Sequence, residues 1–266
     1  MTAPTVGERP ALAGFRAAHD RLGAAQKSGK GAPAYSLYVN RPLGRLFAAI
    51  AYRWGLNPNQ VTLVSAGFSL AGIIVLASLP MTWWTGVAVS LLLVIGYALD
   101  AADGQLARLR GGGSRVGEWL DHMIDSAKIV CLHLAVLVTL ARHADLPSPW
   151  LLLVPMIFTA VSTVHFFGMI LVEQLIREQR AGGRLAAPRR AMADASPDTS
   201  PLRTLAKIPT DYGVLCLSFL LLGAPSLFVG TYTLLAAATT GYLILILLKW
   251  YREVSALDSN VAEVDR

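Results

Sequence analysis

Charged residues are scarce in this chain of 266 amino acids: they make up 15%, against about 25% in a typical soluble domain. Cysteine is scarcer still, since the sequence has only Cys131 and Cys216, and both lie in apolar stretches. Two such thiols offer neither a disulfide framework nor a metal-binding spacing. The low charged fraction excludes an ordinary soluble domain, and a hydrophobic content of 54% instead predicts one membrane-embedded bundle with polar ends.

Two further features are missing. The first residues contain no uninterrupted apolar run of the kind found in a secretory signal peptide, so we expect the first transmembrane helix itself to direct insertion. The net charge is +6, but no run of Lys and Arg is interleaved with aromatic residues as a nucleic-acid surface would require. We therefore expect no nucleic-acid partner.

The chain does contain long apolar segments. The length of each is close to the roughly 20 residues that a helix needs to cross a bilayer. The six segments are Val61–Leu79, Trp83–Ala102, Gly117–Leu140, Trp150–Leu171, Tyr212–Phe228 and Tyr232–Lys249. Tryptophans at their ends are typical of the aromatic belts at a membrane surface. The sequence therefore predicts an all-α, polytopic membrane protein with six transmembrane helices.

The segment Tyr35–Trp54, ahead of the first span, alternates apolar residues with Arg41, Arg45 and Arg53. This pattern predicts an amphipathic helix that lies in the membrane interface with its arginines toward lipid phosphates. An ordinary soluble amphipathic helix is the alternative, and it is disfavoured because a span follows at once.

The chain divides accordingly into three parts. We predict a mobile cytoplasmic tail over 1–34, a membrane catalytic domain over 35–250, and a cytoplasmic C-terminal tail over 251–266. The polar loop 178–201 is predicted to be flexible.

The distribution of basic residues predicts the orientation. Eight Lys and Arg residues precede the first span and seven lie between the fourth and fifth, whereas the opposite side has essentially only Arg142. Since basic residues favour the cytoplasmic side, we expect both termini in the cytoplasm, and an even number of spans agrees.

The chemically informative stretch joins the second predicted span to the third. Asp100 and Asp103 are three residues apart, and Asp121 and Asp125 are four apart, so each pair shares one helix face. The glycines at 111–113 predict a tight turn that makes the two helices antiparallel neighbours. The two acidic faces can then converge.

Four aspartates in such a place require compensation. An ionised Asp at mid-membrane costs roughly 2.5–3.5 kcal/mol on insertion scales, and Arg108 and Lys128 are the nearby cations. Hard divalent ions prefer carboxylate oxygen, and two Mg²⁺ or Mn²⁺ ions would balance four carboxylates. Capping or salt-bridge roles at water-exposed helix ends would account for one such Asp better than for two pairs.

The same stretch resembles the signature of the CDP-alcohol phosphotransferase family, D-x2-D-G-x2-A-R-x(7–8)-G-x3-D-x3-D. Every fixed position is matched, by Asp100, Asp103, Gly104, Ala107, Arg108, Gly117, Asp121 and Asp125. The run from Asn57 to Thr62 is similar to a second family pattern that usually begins Thr-Pro-Asn. Intramembrane prenyltransferases also carry aspartate pairs, but theirs are far apart in sequence.

The resemblance implies roles for particular residues. It implies metal ligation by Asp100, Asp103, Asp121 and Asp125, with Asp125 also as the catalytic base. It implies donor binding by Asn59, Thr62, Asp103, Gly104, Ala107, Arg108 and Gly117. Acceptor contacts are expected from Lys128, Arg203 and Lys207, with pairing of Lys128 to Asp125 as an equal alternative.

The resemblance also implies the activity: metal-dependent transfer of a phosphoalcohol group, favoured as phosphatidyl, from a CDP-alcohol to a hydroxyl acceptor with release of CMP in phospholipid biosynthesis. CDP-diacylglycerol is the favoured donor, and a homodimer with its active site on the cytoplasmic side is expected. The alternatives are a CDP-linked small polar alcohol that donates to a polyol or lipid, and a carboxylate-lined cation transporter. The acceptor alcohol stays open.

Overall fold

The structure is a computed structural model, and it describes residues 33–181 and 210–264. Over these residues the chain is helical and has no strand. The helices are Arg41–Arg53 (α1), Pro58–Ser78 (α2), Trp83–Leu109 (α3), Arg115–His143 (α4), Leu153–Ala181 (α5), Tyr212–Ser218 (α6) and Pro225–Val264 (α7). A π-helical turn at Ser36–Asn40 precedes α1, and 3₁₀ turns lie at Pro149–Leu152 and Phe219–Gly223. The all-α prediction is confirmed.

Five of the described helices are long and apolar enough to cross a membrane. They are α2, α3, α4, α5 with its preceding turn, and α7 as far as Leu257. Each contains most of a segment predicted to span the bilayer. The protein is therefore an integral membrane protein of the polytopic class.

The predicted fifth span, Tyr212–Phe228, has different bounds in the structure. The shorter apolar segment Tyr212–Gly223 ends before Pro225, where α7 begins, so Phe228 belongs to the next helix. Proline has no N–H to donate and its ring restricts the residue before it, which ends the preceding helix there. The predicted boundary, and the start of the last span at Tyr232, were wrong.

The segment Tyr212–Gly223 packs along α3. Ser90 donates a 2.8 Å hydrogen bond to the carbonyl oxygen of Cys216, and the Gly223 backbone lies against the Trp83 ring at the start of α3. This segment therefore covers the apolar half of α3 even though it is shorter than a usual span. Six crossings stay a prediction.

Three helix ends meet on the side of the bundle that carries the aspartates. Asn57 caps α2 in a reciprocal pair with Gln60, in which each side chain accepts a 2.9 Å hydrogen bond from the other's backbone N–H. Ser114 caps α4 by accepting from a backbone N–H in its first turn. Between α3 and α4, Gly111 and Gly112 adopt φ values of 95° and 129°, which glycine tolerates best. The tight turn predicted from these glycines is confirmed.

Small residues let α1 pack closely against α3. Ala48 and Ala49 are fully buried in a cluster with Ala102 and Leu106. A side chain at Gly44 would place its Cβ 2.9 Å from the Cβ of Ala101. α1 therefore supports the helix that carries Asp100 and Asp103, while its predicted position at the membrane interface stays a prediction.

The predicted division of the chain matches helix ends only in part. The tail 1–34 lies outside the described residues except for its last two positions, as do positions 182–201 of the loop 178–201. α7 continues to Val264, so no helix ends at the boundary predicted after residue 250. The three-part division stays a prediction.

Candidate active site

The carboxylates of three of the four aspartates meet between α3 and α4, two helices that each pack against α2. Carboxylate oxygens of Asp100, Asp103 and Asp121 are within 4.8 Å of one another. Asp103 is buried and the other two are half-buried. An ion with metal–oxygen distances of about 2.1 Å holds opposite ligands about 4.2 Å apart, so small side-chain rotations would close this set around one divalent ion.

Asp125 is not one of these three carboxylates, but it lies next to Asp100 through a shared lysine. Its Oδ1 lies 2.6 Å from the Nζ of Lys128, and the same ammonium lies 2.7 Å from Oδ1 of Asp100. The Lys128 side chain is only 11% exposed. Of the two roles left open from sequence, the structure has the pairing with Asp125, and it adds Asp100 as a second partner. Metal ligation by Asp125 stays a prediction.

Thr62 on α2 supports the buried carboxylate. Its hydroxyl donates a 2.5 Å hydrogen bond to Oδ2 of Asp103, and the pair is buried. A partner behind a metal-binding carboxylate fixes the orientation of that carboxylate and raises its affinity. Donor contact by Thr62 stays a prediction; in the structure its hydroxyl bonds to Asp103 and also lies 3.0 Å from the carbonyl oxygen of Pro58 in its own helix.

A cavity of about 640 Å³ opens beside the carboxylates. All seven residues predicted to bind the donor line it, namely Asn59, Thr62, Asp103, Gly104, Ala107, Arg108 and Gly117. Asp121 also lines it, so the cavity and the carboxylate cluster share two acidic residues. The start of α2 and the α3–α4 signature therefore form one site.

The two signature glycines differ in their surroundings. A Cβ at Gly104 would meet only Nη1 of Arg108, at 3.4 Å, and would otherwise face the cavity. A Cβ at Gly117 would come 2.8 Å from Oδ1 of Asn59 on the neighbouring helix. Gly104 therefore keeps the cavity open, and Gly117 lets α4 approach the start of α2.

A cluster of three charged residues borders the cavity mouth and was not predicted. Arg177 on α5 contacts Oε1 of Glu118 on α4 at 2.5 Å and Oε1 of Glu173 at 2.6 Å. All three line the cavity and are partly exposed. The spacing of Glu173 and Arg177 marks a helical ion pair, but the contact with Glu118 joins residues that are 59 positions apart.

The predicted acceptor residues are not brought together within the described part of the chain. Arg203 and Lys207 lie outside the described residues. Lys128 is absent from the described lining of the cavity.

Asp211, just beyond the undescribed loop, has a structural role. Its carboxylate accepts hydrogen bonds from the backbone N–H groups of Tyr35, Ser36 and Gly213 at 2.9, 3.3 and 3.1 Å. Burial raises the pKa of Asp211 above its usual value, although these donors act in the opposite direction. Asp211 thus joins the segment before α1 to the start of α6.

Comparison with known proteins decides the family. The CDP-alcohol phosphatidyltransferase family profile matches residues 56–248, which include the carboxylate cluster and every described residue that lines the cavity. The chain belongs to this family. The family resemblance inferred from the signature is confirmed.

Individual family members match shorter stretches. The phosphatidylinositol phosphate synthase of Mycolicibacterium smegmatis is 37% identical over 83 residues, which are 31% of this chain and 36% of that protein. The archaetidylinositol phosphate synthase of Pyrococcus horikoshii is 38% identical over 87 residues, which are 33% of this chain and 43% of that protein. The chain thus matches less than half the length of these relatives.

A solved structure can also be aligned with the structure of this chain. It is the Mycobacterium tuberculosis phosphatidylinositol phosphate synthase in complex with manganese and citrate, 23% identical, with a TM-score of 0.49. The alignment covers 77% of this chain and 87% of that one.

Proposed function

We propose that this family member transfers a phosphatidyl group from CDP-diacylglycerol to the hydroxyl of an alcohol and releases CMP. The observation that carries the proposal is the junction of the carboxylate cluster with the cavity, which share Asp103 and Asp121. Metal ligands and donor-binding residues then belong to one site. The names of the two curated relatives, both synthases of inositol phosphate lipids, favour a lipid-linked donor.

The residues present fit a divalent ion. Three carboxylates converge, one is held by the Thr62 hydroxyl, and their oxygen donors suit Mg²⁺ or Mn²⁺. When bound, such an ion would polarise the reacting phosphorus and stabilise the charge that develops on the leaving CMP. We assign one ion to the cluster of Asp100, Asp103 and Asp121. The second ion that the charge balance predicts stays a prediction, and Asp125, the fourth carboxylate in that balance, is paired with Lys128.

The cavity suits a nucleotide diphosphate. Arg108 can pair with a phosphate oxygen through its planar guanidinium group, and Gly104 leaves the α3 backbone open to close approach. Asn59 and Gly117 line the cavity at the facing ends of α2 and α4. We therefore assign the cytidine and its two phosphates to this cavity, with the diacylglycerol directed toward the membrane.

The reaction has one proton to remove. In the proposed step the Asp125 carboxylate takes the proton of the acceptor hydroxyl, and the acceptor oxygen forms a bond to the phosphorus that carries the diacylglycerol. The bond from that phosphorus to the bridging oxygen breaks, and its electron pair leaves with CMP. The phosphatidyl group is then on the acceptor, and Asp125 returns its proton to water.

Sidedness and assembly complete the proposal. Basic residues cluster at the ends of the helices that carry the site, so we assign the site and both termini to the cytoplasmic side. The homodimer that the resemblance implies is retained as a prediction. We assign no acceptor alcohol.

CMP release from the purified protein tests this function. With Mg²⁺ or Mn²⁺ present, CDP-diacylglycerol and a CDP-linked small alcohol are each offered with a panel of acceptors. We expect CMP from CDP-diacylglycerol, and a loss on the order of 100-fold or more in Asp100→Asn and Asp121→Asn. Asp145→Asn is the matched control, because Asp145 is exposed on the α4–α5 connection.

Two results would contradict the proposal. CMP release from the CDP-linked small alcohol alone would reassign the donor. Uptake of Mn²⁺ into liposomes without turnover of any CDP-alcohol would favour the cation transporter.

A further inference from the structure

The largely buried side chain of Lys128 is not part of the family signature, which ends at Asp125. Lys128 follows three residues later in α4, on the same helix face as Asp125. Its side chain is 11% exposed, less than the 20% of Asp100 and the 26% of Asp125. A charged side chain with so little exposure is costly unless it is paired. The two neighbouring carboxylates therefore stabilise the ammonium of Lys128.

The contacts of Lys128 connect two functions. Asp125, its partner on α4, is the proposed base, and Asp100, its partner on α3, belongs to the carboxylate cluster. The ammonium therefore ties the base to the metal ligands across the two helices. It also offsets part of the negative charge of the four aspartates.

The same contacts argue against the role expected from sequence. An acceptor phosphate would have to displace one of two carboxylates that lie 2.6 and 2.7 Å from Nζ. Within the described lining of the donor cavity, Lys128 is absent. Its ammonium is thus directed at protein carboxylates.

We propose that Lys128 is a positioning residue that, anchored on Asp100, holds the Asp125 carboxylate in place for the acceptor hydroxyl. This inference rests on the proposed function. If the ammonium of Lys128 is removed, the inference predicts slower turnover but tighter metal binding. The base loses its fixed position, which slows turnover, and the carboxylate cluster becomes more negative, which strengthens metal binding.

Lys128→Met and Lys128→Arg are compared with the full-length wild type in lipid nanodiscs, and Lys249→Met is the control. Lys249 is also a helical lysine paired with an acidic residue, but its side chain is 64% exposed. The first measurement is a titration of the protein with Mn²⁺ in the absence of substrate. The electron spin resonance signal of the free ion reports how much Mn²⁺ remains unbound. We expect Lys128→Met to bind Mn²⁺ about tenfold more tightly, because a positive charge beside the cluster is lost.

The second measurement is steady-state CMP release with donor and acceptor varied separately. We expect Lys128→Met to lower kcat by about 100-fold, with each KM changed by less than about threefold. Lys128→Arg, which keeps the charge, should retain about a tenth of the activity or more. In the Asp125→Asn background, loss of Lys128 should lower kcat no further, because the lysine acts through that carboxylate.

Different outcomes overturn the inference and the proposed function. If the wild type releases no CMP, the proposed function fails. If the wild type releases CMP, an unchanged kcat in Lys128→Met overturns the inference, whether or not the KM for the acceptor rises. Unchanged Mn²⁺ affinity overturns it in either case. If Lys128→Met does not accumulate, Lys128→Gln serves in both measurements with the same expectations.

Discussion

The hydroxyl of Thr62 on α2 donates a 2.5 Å hydrogen bond to the Asp103 carboxylate on α3. Both side chains are buried, at 4% and 7% exposure. Asp103 is the one buried member of the carboxylate cluster, and this bond limits the directions in which its oxygens can point.

Thr62→Val should therefore weaken metal binding while the protein keeps its fold. Valine has nearly the same shape but cannot donate, and the loss of such an outer partner typically costs about 10- to 100-fold in metal affinity. The measurement is Mn²⁺ binding to the purified protein. Thr159→Val is the matched control, because Thr159 bonds to a carbonyl within its own helix. Equal Mn²⁺ affinity in the two variants would show that the Thr62 bond does not orient a ligand.

Gly104→Ala should weaken donor binding without destabilising the protein. The added methyl group would face the cavity, with only Arg108 near it, whereas in Gly72→Ala the methyl group would press on Leu92 and Leu93 at 3.2 Å. In Gly104→Ala we expect a raised KM for CDP-diacylglycerol and an unchanged unfolding temperature. In Gly72→Ala we expect an unchanged KM and a lowered unfolding temperature. CMP kinetics and thermal unfolding measure the two effects. A lowered unfolding temperature in Gly104→Ala would assign this glycine to helix packing.

Arg177→Gln should affect the donor more than the fold. The three charged side chains at the cavity mouth are 43% to 57% exposed, and such pairs contribute about 0–1 kcal/mol to stability. Removing the arginine leaves two glutamates facing an anionic donor, so its KM should rise several-fold at low salt and less at 0.5 M NaCl. Arg142→Gln, at the opposite end of α4, is the control. A salt-independent KM would rule out this electrostatic effect.

Cysteine labelling should report the orientation of α4. In a background with Cys131→Ala, Gly113→Cys precedes α4 and Asp145→Cys follows it. If the basic side is cytoplasmic, a membrane-impermeant maleimide added to intact cells should label Asp145→Cys and leave Gly113→Cys unmodified until the membrane is opened. The reverse pattern would invert the assigned topology.

Binding of Mn²⁺ should stabilise the folded protein through the carboxylate cluster. At a concentration of about 100 times Kd, ligand binding adds about 2.7 kcal/mol to the free energy of unfolding. Thermal unfolding with and without Mn²⁺ should show this increment in the wild type and its loss in Asp121→Asn. An equal increment in both proteins would place the bound ion elsewhere.

Much of the fold was predictable because its determinants are local. Apolar length alone identifies α2, α3, α4 and α5, and helical spacing pairs Asp100 with Asp103. The break before Pro225 was misjudged because the apolar run continues on both sides of it, so composition alone cannot show where one helix ends.

The sequence predicted which residues form the site better than it predicted which of them contact one another. The signature indicated every residue of the carboxylate cluster, and the α2 motif indicated the partners on the other side of the cavity. The contact of Lys128 with Asp100 joins positions 28 apart, and that of Arg177 with Glu118 joins positions 59 apart. Neither contact follows from spacing along one helix.

Sequence by itself therefore determined that this chain is a helical membrane protein with two acidic helix faces joined by a glycine turn. These properties depend on hydrophobic length and helical period, which are written in consecutive residues. Only the tertiary structure decided that Lys128 also reaches Asp100 and that the other aspartates converge, because the placement of α3 and α4 depends on how each packs against α2.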